Sequence, residues 1–128
     1  MTAQDVIQQY TETGMIIRET TFNGDYKKGN REWKKVVIIF KCLEKDKELA
    51  KKSLPLLFKN ENIATRTSAA AHCISLGIYV NEAIKVLKES ADESNGIFGF
   101  DAKMTLKVYY EQGYLKVYPT QKIECEKA

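Results

Sequence analysis

The stretch from Leu54 to Gly77, LPLLFKNENIATRTSAAAHCISLG, constrains the fold more than any other part of the chain. Leu54, Leu57 and Phe58 close one amphipathic helix, and Lys59 to Asn62 form a polar turn. A second helix then carries Arg66, the small run Ala69 to Ala71, and Cys73, Ile74 and Leu76. Three small side chains in succession let two helix backbones approach closely. Gly77 follows the last apolar turn, where a residue without Cβ takes the left-handed conformation that ends a helix. Such an elbow needs further helices to bury its apolar faces, so the expected fold class is all-α.

The rest of the chain reads in the same way. A first helix is expected over about Thr2 to Thr21, with Val6, Ile7, Tyr10, Gly14 and Ile17 on one face and Thr2 as its cap. Gly14 on that face marks a close crossing or a bend. Asp25 caps a second helix to about Leu43, with Tyr26, Asn30, Trp33, Val37 and Phe40 facing inward, Val36, Ile39 and Leu43 widening the stripe, and Asn30 buried among them. Taken alone, VVIIF (36–40) suggests a buried strand, but the spacing from Tyr26 through Trp33 to Phe40 is helical. Lys47 to Phe58 makes a short helix that kinks or restarts at Pro55. Glu61 to Leu76 is the fourth helix, and Val80 to Ser90 the fifth, with Asn81 as a candidate cap. In the next segment Ser94 to Gly99 reads as a loop, Phe98 and Phe100 as core plugs, and Asp101 as the cap of a sixth helix ending at Gly113. One domain is expected over 1–118, followed by a loose, charged tail over 119–128.

The 128 residues suffice to bury about two-thirds of the unfolded surface. No apolar run approaches the roughly 20 residues of a membrane helix, and the N-terminal MTAQDVIQQY lacks the pattern of a secretory signal. Cys42, Cys73 and Cys125 are odd in number and unrelated in spacing, and His72 alone cannot complete a zinc site with them. Reduced thiols, a cytoplasmic setting, and no metal or cofactor are therefore expected.

The elbow resembles the HEAT repeat, in which an apolar helix, an Asp/Asn turn, an Arg and an Ala-Ala pair recur in order. Asn60 stands where that family usually has Asp, and Thr65 where it usually has Val. Over about residues 3 to 115 the chain also resembles a bacterial family of short HEAT-like all-helical proteins of unknown function. The matching positions are Gly24, Asp25, Tyr26 and Asn30; Arg66, Ala69 and Ala70; and Asp101, Ala102, Thr105 and Leu106. The resemblance implies a HEAT/ARM-like right-handed stack of antiparallel helix hairpins, about six helices in all. It implies no established activity. It also suggests that Arg66 reaches carbonyls or a carboxylate near its turn, as the HEAT arginine does.

Signals for catalysis are weak. GIFGFD (96–101) fits neither dinucleotide nor P-loop spacing, and Asp101 would repel phosphate. His72 has Ser68 and Ser75 nearby on its helix, but nothing supplies an oxyanion site. Charge is uneven: Lys27 to Lys59 holds eleven Lys/Arg against four Asp/Glu, a net of +7, which leaves −4 elsewhere. This basic segment 27–59 can be read as a nucleic-acid surface or as a solvated helix face. The dominance of Lys and the interleaved Glu favour the solvated face. At the C-terminal end, Tyr110, Tyr114 and Tyr118, with Lys107 and Lys116, form the candidate partner-binding cluster, because interfaces enrich Tyr. The expected function is a non-enzymatic protein-binding module, more narrowly an immunity protein that blocks a cognate toxin. The alternative is a nucleic-acid-binding helical-repeat protein.

Overall fold

The computed structural model describes residues 1–118 and Cys125. Six α-helices and two short 3-10 turns make up the described residues, and no strand occurs among them. The helices are α1 (Ala3–Asn23), α2 (Tyr26–Lys45), α3 (Lys47–Ser53), α4 (Ile63–Leu76), α5 (Val80–Ser90) and α6 (Gly96–Gln112). The 3-10 turns are Leu54–Leu57, which carries Pro55 in its first turn, and Glu93–Asn95. None of these helices is long and apolar enough to cross a membrane.

Local chemistry sets most boundaries. Thr2 and Asp5 form a reciprocal capping box, with Asp5 N–H donating to Thr2 Oγ1 at 3.1 Å and Thr2 N–H donating to Asp5 Oδ2 at 2.8 Å. These bonds hold the Asp5 carboxyl below its ordinary range. Asp25, Asp46 and Asn62 cap α2, α3 and α4 through side-chain oxygens. Gly77 ends α4 in the left-handed conformation, with the Ile78 and Gly77 amides donating to the Cys73 and Ile74 carbonyls. Arg66 spans the elbow, its Nη1 donating to the Asn60 and Glu61 carbonyls at 2.9 and 3.0 Å.

Helix α4 is central. It packs against α1, α5, α6 and the Pro55 turn, with Ala69 and Ala70 fully buried. Where α1 crosses α4, a Cβ on Gly14 would collide with the Thr65 side chain, so the close crossing needs glycine. Val6 and Tyr10 of α1, Phe40 and Leu43 of α2, Leu54, Leu57 and Leu87 complete the core.

Three expectations are corrected. The inward face of α2 is rotated from the apolar stripe. Val37 and Phe40 are buried, but Tyr26 and Asn30 are exposed and Trp33 is 38% exposed. The helix turns Gly29 and Glu32 inward beside the expected Val36, Ile39 and Leu43; a Cβ on Gly29 would press on Thr20 Oγ1 from α1, and Glu32 keeps its charge satisfied by Lys35 at 2.8 Å. Helix α6 starts at Gly96, which puts Asp101 inside the helix; Phe98 is buried but Phe100 is exposed. Gly99 is required there because a Cβ would meet the Asp92 carbonyl. Tyr79, in the left-handed region, precedes α5 in place of an Asn81 cap.

The cysteines differ from expectation too. Cys42 and Cys125 form a disulfide with a Cα–Cα distance of 4.6 Å, and Cys73 is free and buried. The cysteine count therefore no longer argues for a reduced, cytoplasmic setting, since disulfides persist mainly in oxidising compartments. The expected loose tail, 119–128, lies outside the described residues except for this bonded cysteine.

Candidate functional site

After Gly113 the chain turns back over α4. Leu115 is buried, Val117 N–H donates to Ser75 Oγ at 3.4 Å, and Tyr118 reaches His72. His72 is 1% exposed and held between two phenols, with Nδ1 2.7 Å from Tyr10 Oη and Nε2 2.9 Å from Tyr118 Oη. A neutral imidazole donates at one nitrogen and accepts at the other, so one phenol donates to the ring and the other accepts from it. Burial lowers the His72 pKa to about 3 and raises the Tyr118 phenol to about 12. It also raises Tyr10 well above its ordinary value and the Cys73 thiol to about 12. At neutral pH this cluster carries no charge, and both ring nitrogens are occupied. Ser75, the expected neighbour of His72, accepts from the backbone of the returning segment instead.

Beside this cluster a groove of about 210 Å³ opens between α1, α2, α4 and α6. Gly14, Thr65, Trp33, Asp101 and Tyr118 are among the residues that line it. Trp33 meets Tyr118 edge to face, with ring centroids 5.2 Å apart. Burial raises the Asp101 carboxyl above its ordinary pKa. Local sequence makes Asp101 a helix cap and Trp33 a core residue, and neither periodicity nor spacing links two residues so far apart in the chain.

The C-terminal cluster is divided. Tyr110 and Tyr114 are 57% and 53% exposed, and Lys107 and Lys116 are exposed with them. Lys88 Nζ lies 5.9 Å from the Tyr110 ring centroid and Lys116 Nζ lies 5.8 Å from that of Tyr114. Tyr118 does not join this surface. It turns inward because His72 offers its phenol a buried partner while Trp33 and Phe40 meet its ring.

On the basic segment, Lys35, Lys41 and Lys51 pair with Glu32, Glu44 and Glu48, each three residues away along the chain. No group of three His, Cys, Asp or Glu side chains among the described residues is arranged to hold a metal ion. Comparison with protein-family models, curated proteins and solved structures gives no significant match. The resemblance to HEAT-like proteins thus rests on the residues themselves.

Proposed function

We propose that this chain is a non-enzymatic protein-binding module built as a HEAT-like stack of helix hairpins. Support for the stack comes from Arg66 bridging the carbonyls of its own elbow and from Ala69 and Ala70 buried in the central helix. The observation that carries the binding reading is the exposed pair Tyr110 and Tyr114, each with a lysine over its ring. A phenol with few rotatable bonds gives large contact area with little entropy to lose, and nearby lysines steer an acidic partner. Lys107 and Lys116 extend this surface; Tyr118 is left out of it.

The test compares wild type with a Tyr110→Ala/Tyr114→Ala variant against a partner captured by crosslinking in the native cell. The variant is expected to keep its melting temperature and to lose at least about 2 kcal/mol of binding, some thirtyfold in Kd. Equal binding by both proteins would move the interface elsewhere. The narrowest form of the reading is an immunity protein, which requires that co-expression rescue cells from a toxin domain encoded beside it. Protection by wild type and its loss in the folded double variant would support that form.

A further inference from the structure

The groove beside Trp33 lies apart from the Tyr110–Tyr114 surface and shares no residue with it. Its lining is unusual in charge. Asp101 is the one acid or base other than tyrosine among its lining residues, and it has no ion-pair partner among the described residues of a chain rich in lysine. All four threonine hydroxyls at the groove are already bonded: Thr13, Thr65, Thr67 and Thr105 donate to the Gln9, Tyr10, Ile63 and Asp101 carbonyls. An anion would meet the Asp101 carboxylate with few donors beside it, the Ser68 hydroxyl and the Trp33 N–H among them. A cation would find a carboxylate, hydroxyl oxygens and an indole.

A bare metal ion is a poor fit, because hard cations take six or more oxygen ligands and this groove supplies one carboxylate. Ile17, Val36 and Ala71 give the remaining wall an apolar character suited to alkyl groups. The volume of about 210 Å³ corresponds to roughly seven waters at ~30 Å³ each, the size of a short alkylammonium. Aromatic faces attract such cations most strongly when they are partly desolvated, and Trp is the strongest of them. We infer that the groove is a binding site for a small methylated ammonium compound, held by the Asp101 carboxylate and the Trp33 indole that both line it.

Trp33 is the only tryptophan in the chain, so its fluorescence reports directly on the site. The probe is choline chloride, with sodium chloride of equal ionic strength and the neutral isostere 3,3-dimethylbutan-1-ol as controls. Choline is expected to give a saturable fluorescence change that neither control reproduces. Asp101→Asn, at an exposed position, should keep the melting temperature and weaken choline binding by about tenfold or more. Amide NMR shifts on titration should centre on Ser68, Thr105 and Trp33. A response no larger than that to sodium chloride, equal binding of the neutral alcohol, unchanged affinity in Asp101→Asn, or shifts centred elsewhere would each overturn the assignment. Because the site and the tyrosine surface are separate, failure here leaves the protein-binding reading standing, and the reverse also holds.

Discussion

Removing the Cys42–Cys125 bond is expected to lower stability by a large share of the total. The bond joins residues 83 apart, and the chain-entropy relation for a loop of that length gives about 4.6 kcal/mol at 25 °C. Strain in the native state and residual structure in the unfolded chain usually reduce such values, so about 3 kcal/mol is the working figure. For a domain whose whole stability is about 5–15 kcal/mol, that is substantial. At ~2.1 cal/mol/K per residue, 128 residues carry an unfolding entropy of about 0.27 kcal/mol/K, and the loss becomes a fall in Tm of roughly 11 °C. The assay is thermal circular dichroism on wild type and Cys42→Ser/Cys125→Ser, each with and without reductant. Wild type should fall to the level of the variant when reduced, and the variant should ignore the reductant. Thiol titration after unfolding without reductant should find one thiol, that of Cys73. Three titratable thiols, or a Tm indifferent to both reductant and mutation, would refute the reasoning.

Gly14→Ala should destabilise by about 1–3 kcal/mol through overpacking at the α1–α4 crossing, and Thr65→Ala in the same chain should recover part of that in a double-mutant cycle of denaturant melts. Tyr10→Phe removes the hydroxyl facing His72 Nδ1 and leaves a buried nitrogen unpaired, so urea unfolding should show a loss of about 1–3 kcal/mol. The third expectation concerns pH. With a folded pKa near 3 against about 6.5 unfolded, His72 takes up its proton in the unfolded chain first. Its contribution is therefore fully present above pH ~6.5 and declines by up to about 1.4 kcal/mol per unit as pH falls toward 3. Denaturant midpoints at pH 7 and pH 5 should differ accordingly in wild type, and that part of the difference should vanish in His72→Gln.

What the sequence revealed and what it hid divide along the range of the interactions involved. The caps at Thr2 and Asp25, the stops at Gly77 and Gly113, the restart at Pro55 and the Arg66 bridge are all written in residues within a turn or two of each other. The close approach at Gly14 was legible as well, because a glycine on an apolar helix face has few other uses. The face of α2 is hidden from the sequence because hydrophobicity marks Tyr26 and Trp33, while α1 accepts the smaller Gly29 and the paired Glu32. Helix α6 begins earlier than its loop-like glycines imply, because Gly99 is demanded by a carbonyl pressing on the helix. His72 looked like an isolated histidine since its partners stand 62 and 46 residues away. Only tertiary structure sets Trp33 and Asp101 on one groove, or Cys42 beside Cys125.

The returning segment after Gly113 also makes the buried polar cluster a strongly non-local one. Tyr10 and Tyr118 meet the two nitrogens of one imidazole from 62 and 46 residues away, and the Cys42–Cys125 bond spans 83. Loop-closure entropy opposes such contacts until they form. A helical bundle held only by neighbouring hairpins folds quickly, and contacts of this separation slow the search. The same three long links then tie α1 and the returning segment to the helices between them.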